Sequence, residues 1–282
     1  MSTVGTRYVA SIQVGGGRPV PVTVDTGSSG LVIDSAAVGS AFTATGQHLE
    51  RHYGFATEGT SNLATSIITT VTTLDDGSRT LSTGMIPVAT FADSSRSASM
   101  RRTGTYGILG VGPNIAPHSY GLMSPLAQLP APFWAGFTLD PAAHVLRLGQ
   151  PQVTSPSAVV PLTRSGVSFP NGHSSWSKDV QLCWSVGARR TCGPTAVDSG
   201  GNNGTVSSTL LPDVDHLGNH VAAGTRVAIA TPTGQPIGSA TSSSLHPVNY
   251  TSADHFNSGA LPFTAGAVGF DLLDGKLVFQ AG

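Results

Sequence analysis

The segment VTVDTGS (Val22–Ser28) returns later in the chain as TAVDSGG (Thr195–Gly201). Two carboxylates, Asp25 and Asp198, thus stand 173 positions apart in like surroundings. A repeat at this spacing in a chain of 282 residues predicts two like units that meet at their repeated turns. Two further pairs keep the same order. YGILGVG (Tyr106–Gly112) is echoed by GAVGF (Gly266–Phe270), and GFTLDPAAHVLRLG (Gly136–Gly149) by GFDLLDGKLVFQAG (Gly269–Gly282). Elements lying on a twofold axis meet their counterparts, so Asp25 and Asp198 are expected to face each other.

The units are expected to be mostly β. Runs such as SIITTVTTL (Ser66–Leu74), RVAIATP (Arg226–Pro232) and KLVFQ (Lys276–Gln280) are short, β-branched and bounded by turn residues. QPQVTSPSAVVPLT (Gln150–Thr163) reads as the connection, which gives an N-terminal lobe over 1–152 and a C-terminal lobe over 153–282.

Two carboxylates within a few ångströms cannot both ionise cheaply, so the pair shares one proton. The ionised member can take a proton from a bound water while the protonated member donates to a carbonyl oxygen. That is general acid–base hydrolysis of an amide, with no covalent intermediate. The flanking residues suit it. Gly27 and Gly200 let backbone N–H groups approach the carboxylates. Thr26 and Ser199 carry hydroxyls placed to brace each turn against the other, and Ser28 can donate to Asp25. No metal or organic cofactor is required. Both halves lie in one chain, so a monomer suffices.

Taken together, VDTGSSGLV (Val24–Val32) and VDSGG (Val197–Gly201) resemble the paired motifs of the pepsin-like aspartic proteases over nearly the whole chain. The resemblance implies a bilobed fold with pseudo-twofold symmetry, and an extended peptide or protein substrate held in the interlobe cleft. It also implies that Ile108-Leu109-Gly110 and Ala267-Val268-Gly269 thread beside the two Asp turns, and that Tyr53 and Gly54 stand near the tip of a hairpin flap. Among such proteins, the small Ala-, Gly- and Thr-rich character is similar to the C-terminal protease domains of mycobacterial PE-PGRS proteins. The same comparison marks departures. Val32 stands where the family has a Trp that bonds the flap Tyr. Gly201 stands where many members have a Ser or Thr that donates to the second Asp, and Asn202 and Asn203 follow it in place of a more apolar stretch. A pepsin-fold protein that binds peptides with little or no catalysis is the alternative these departures leave open.

Other features bound the reading. Charged residues are only 10% of the chain and the net charge is −1, so no basic face follows a phosphate backbone and nucleic acid is not expected. No run of 18 apolar residues predicts a membrane helix. The N-terminus MSTVGTRYVASIQV lacks the pattern of a signal peptide, so a domain of a longer protein is expected, secreted or at the cell surface with its export signal elsewhere. Cys183 and Cys192 flank WSVGARRT. A hairpin with Val186-Gly187-Ala188 near its tip would join them in a disulfide, the alternative being two reduced, buried thiols. His48 with His52 and His216 with His220 have the i, i+4 spacing of a helical metal pair, but neither context is helical and loop histidines are the expectation. Asp75-Asp76-Gly77 reads as a hairpin turn. Asp213 and Asp215 read as solvated turn acids, and Asp271 and Asp274 as turn acids without a partner.

Overall fold

Strands make up most of the chain, and they fall into sheets that use the two halves of the sequence in the same way. The computed structural model describes residues 1–4, 7–53, 61–93, 95, 100–102, 104–115, 118–154 and 157–281.

The first sheet has ten strands drawn from Ser2 to Val111. At its centre lie Val20–Asp25 and Ser29–Asp34, buried at nearly every position, as strands covered on both faces must be. Between them runs Gly107–Val111, parallel to the first with Gly110 opposite Asp25, and antiparallel to the second with Gly110 opposite Gly30. Only glycine fits there. A Cβ on Gly110 would stand 2.6 Å from the Gly30 carbonyl oxygen. The expectation for Ile108-Leu109-Gly110 holds.

The second sheet has nine strands drawn from Asp179 to Asn257. Asp179–Val186, Arg189–Ala196, Phe256–Asn257, Thr205–Ser207 and Asn249–Thr251 are neighbours in that order, paired antiparallel, parallel, antiparallel and parallel. In the first sheet Arg7–Val14, Val20–Asp25, Gly107–Val111, Ser29–Asp34 and Ile86–Phe91 follow the same order and directions. The long hairpin Phe42–Tyr53/Ser61–Thr70 at one edge of the first sheet has a short counterpart in the second, His216–Leu217/His220–Val221.

This order corrects one sequence expectation. The strand beside the second Asp turn is Phe256–Asn257, not Ala267-Val268-Gly269. Gly266–Asp271 already pairs on one side with Gly136–Asp140 and on the other with Lys276–Ala281. Both its edges are filled, so it has none to offer the Asp198 turn. Phe256 is fully buried and stacks on Trp184 with ring centroids 5.0 Å apart, which fixes the replacement strand.

The last repeat forms a third sheet. Hairpins Gly136–Asp140/Val145–Leu148 and Gly266–Asp271/Lys276–Ala281 lie side by side, with Phe137 opposite Phe270 and their rings stacked at 4.9 Å. Each is entered through a short helical segment, Phe133–Ala135 and Leu261–Ala265. These belong to a repeat the sequence reading missed, PFWAG (Pro132–Gly136) and PFTAG (Pro262–Gly266). The connection Gln150–Thr163 is no free linker, since Ser157–Pro161 adds a strand to Lys276–Ala281.

Smaller expectations can be read directly. Asp75 closes its turn by accepting from the Gly77 N–H at 2.6 Å, with Gly77 at φ +85°. His48 and His52 lie on a strand, and His216 and His220 flank a tight turn with Gly218 at φ +58°. Asp271 and Asp274 do have a partner, the Gln150 side-chain N–H2, at 3.1 and 3.2 Å.

Candidate active site

Each Asp stands at or just beyond the buried end of a strand and opens a turn that packs against the other turn. Val20–Asp25 ends on Asp25, and Asp198 comes two residues beyond the strand Arg189–Ala196. Thr26 and Ser199, both buried, then cross between the halves. The Thr26 hydroxyl donates to the Val197 carbonyl (2.7 Å) and accepts from the Ser199 N–H (2.9 Å). The Ser199 hydroxyl donates to the Val24 carbonyl (2.9 Å) and accepts from the Thr26 N–H (3.1 Å). Four bonds on one pattern satisfy backbone groups that burial would otherwise leave orphaned.

This brace sets each turn glycine against the opposite carboxylate. A Cβ on Gly27 would stand 2.4 Å from the Asp198 carboxyl carbon, and one on Gly200 would stand 2.7 Å from that of Asp25. The two carboxyl groups are close enough for each to bear on the other's proton. Burial chiefly, and then the charge of Asp198, push the Asp25 carboxyl up to about 7, against a smaller lowering by the Ser28 hydroxyl.

Their other partners differ. Asp25 accepts from the Gly27 N–H at Oδ1 (2.8 Å) and from the Ser28 hydroxyl at Oδ2 (2.6 Å). Asp198 accepts from the Gly200 and Gly201 N–H groups at Oδ1 (2.8 and 3.1 Å) and from the Asn257 side-chain amide at Oδ2 (2.7 Å). The donor expected to be missing at Gly201 is therefore supplied from another strand. Sequence reasoning passed over Asn257 because it sits in a two-residue strand with no motif around it. The signal that could have found it was Gly201 itself. A side chain there would crowd the amide, with a Cβ 3.3 Å from Asn257 Oδ1.

Of the remaining candidates, Tyr53 closes the strand Phe42–Tyr53 opposite Ser61, and Gly54 lies outside the described residues. The hairpin is held without a Trp. Val32 is fully buried with Leu63, Ile67, Phe91 and Leu122, against which Leu49 also packs. Arg51 ties the strand to the first turn by donating to the Ser29 carbonyl at 3.3 Å. Asn202 contributes its carbonyl, which accepts from the Ala260 N–H. Cys183 and Cys192 are opposite residues of one hairpin and form a disulfide. A cavity of about 860 Å³ is lined by residues of the hairpin such as His48, Glu50 and Thr65 together with Phe91 and Asp93, and not by the two carboxylates. Among the described residues no group of three or more His, Cys, Asp or Glu is placed to hold a metal, and no helix is long and apolar enough to cross a membrane.

Residues 1–272 match the model of a family described as the PE-PGRS C-terminal aspartyl peptidase-like domain. No curated protein matches the chain.

Proposed function

The chain belongs to the PE-PGRS C-terminal aspartyl peptidase-like domain family, and from that premise we propose that it is an aspartic endopeptidase acting through Asp25 and Asp198. The observation that carries the reading is the crossed packing of the two turns, each glycine against the other's carboxylate, under a four-bond brace. Turn-capping acids need no such partner.

In this reading the chain has two lobes, 1–152 and 153–282, related by a pseudo-twofold axis through the Asp turns. The shared strand order of the two large sheets supports it. An extended peptide or protein segment lies in the cleft between the lobes, under the hairpin that carries Tyr53 and Gly54. One carboxylate of the pair removes a proton from a water as its oxygen attacks the scissile carbonyl carbon. The other carboxyl gives its proton to the carbonyl oxygen. The tetrahedral diol then collapses: the C–N bond breaks, the leaving nitrogen takes the proton from the first carboxyl, and a diol hydroxyl returns a proton to the second. Thr26, Gly27, Ser28, Ser199 and Gly200 hold the geometry. The protein is a monomer, and its disulfide suits an oxidising location such as the cell surface.

The test is cleavage of a denatured protein and of a peptide library scanned from pH 3 to 8, with pepstatin as inhibitor and Asp25→Asn and Asp198→Asn as controls. Pepstatin-sensitive cleavage lost in both variants is the expected result. Peptide binding without cleavage at any pH would replace the enzyme with a binding module.

A further inference from the structure

We infer that Asn257 is a positioning residue that fixes the proton of the carboxyl pair on Asp25, and so makes Asp198 the base that takes the proton from water and Asp25 the acid that donates to the carbonyl. The inference rests on the dyad reading above.

The argument is a comparison of donors. Asp198 accepts three N–H bonds, from Gly200, Gly201 and Asn257, spread over both of its oxygens. None of these groups can turn round and accept. The amide orientation is set by its own partner, because Asn257 Oδ1 accepts from the Gly259 N–H at 2.7 Å and Nδ2 must therefore face Asp198. A proton on either Asp198 oxygen would meet an N–H already pointing at it. Asp25 accepts one N–H, from Gly27, and one hydroxyl, from Ser28. A hydroxyl rotates and can accept as readily as donate, so a proton on Asp25 Oδ2 keeps its hydrogen bond. The charged form is favoured where fixed donors are most numerous.

Gly201 is the other half of the device. A Cβ there would lie 3.1 Å from Asp198 Oδ2 and 3.3 Å from Asn257 Oδ1. A side chain at 201 and the amide of Asn257 thus compete for one place beside Asp198. Among the described residues, the titratable group that acts on Asp25 is the Asp198 carboxyl; Arg51, on the strand Phe42–Tyr53, directs its Nη2 hydrogen to the Ser29 carbonyl.

The experiment measures kcat and KM against pH for wild type, Asn257→Ala, Asn257→Asp and the double variant Asn257→Ala/Gly201→Ser. The same four proteins are titrated by following the 13C signals of the Asp25 and Asp198 carboxyls. Asn257→Asp keeps the acceptor for Gly259 and removes the donor, so it serves if the alanine variant fails to fold. In wild type the proton is expected at the Asp25 carbon alone. Either single variant should lower kcat about 10- to 100-fold with little change in KM, and move the acid limb up by about 1–2 pH units. Its proton should then be reported by both carbons. The double variant should regain rate, since Gly201→Ser restores a donor, yet still show the proton on both carbons, since that donor is a rotatable hydroxyl. An unmoved acid limb and an unchanged carbon titration in the single variants would overturn the inference. A wild type with no proteolysis would instead overturn the enzyme reading, and the carbon titration would still decide where the proton sits.

Discussion

Gly27→Ala tests the placement of the two turns more directly than removal of a carboxylate, because it leaves both carboxylates and their donors present. The added Cβ would stand 2.4 Å from the Asp198 carboxyl carbon and 2.5 Å from its Oδ1. Ordinary contact begins near 3.4 Å, so the Asp198 carboxyl must retreat by about 1 Å, a misplacement that costs on the order of 100-fold in rate. Gly200→Ala is the matched perturbation on the other side. Its Cβ would stand 2.7 Å from both the Asp25 carboxyl carbon and Oδ1, so the required shift is smaller and the loss should be nearer tenfold. Neither glycine has a positive φ, so no backbone strain is added, and destabilisation should stay within the roughly 1–3 kcal/mol of local overpacking. The assay is kcat at the pH optimum on a peptide identified from the library digest, alongside the urea midpoint of each variant. Full activity in Gly27→Ala would mean that Asp198 does not lie against the first turn, and the site as built here would be wrong.

Thr26→Val keeps the shape of a buried side chain and strands the Val197 carbonyl and the Ser199 N–H; a loss of about 2–4 kcal/mol is expected in urea unfolding, and a change below about 0.5 kcal/mol would show that the brace contributes nothing to stability. Asp25 binds its proton far more tightly in the folded protein (about 7) than an ordinary aspartate does, near 3.8. On this group's account the folded state holds more protons between these values, so the contribution of Asp25 to stability is expected to fall as pH rises from about 4 to 7, by up to about 4 kcal/mol. Asp25→Asn should flatten that slope in unfolding curves taken across the range while abolishing cleavage. Reducing the Cys183–Cys192 bond, which closes a short hairpin, should lower stability by about 2–3 kcal/mol, read as a fall in Tm with a phosphine reductant.

The parts of the site legible in the sequence were those carried by contiguous residues. VDTGS and VDSGG each hold a carboxylate, its glycine and a bracing hydroxyl within four positions, so the local chemistry could be read without the fold. The Cys pair and Asp75-Asp76-Gly77 were legible for the same reason, since hairpins bring near neighbours together. What escaped depends on pairing between distant segments. Asn257 meets Asp198 only because Phe256–Asn257 runs parallel to Arg189–Ala196, and a strand of two residues has no period to detect. The sequence pointed instead to Ala267-Val268-Gly269, which has the right composition but is filled on both edges. Val32 was misleading in another way. Read as a missing hydrogen bond, it proves to be a packing residue beneath the hairpin it was expected to tether.

A fused chain can do something a symmetric dimer cannot. When two identical subunits each give one carboxylate, the donors around the two are the same by symmetry, and any preference for where the shared proton sits must come from the substrate. Here the two turns have kept the groups that join them: Thr26 and Ser199 make the same four crossed bonds, and Gly27 and Gly200 the same close approaches. They have diverged where divergence leaves the brace intact, at Ser28 against Gly201 with Asn257. Each half retains a donor to its carboxylate, so neither charge is left bare, yet one donor can reverse and the other cannot. A rotatable hydroxyl on one side and a fixed amide from a separate strand on the other is the arrangement expected if acid and base are assigned before substrate arrives.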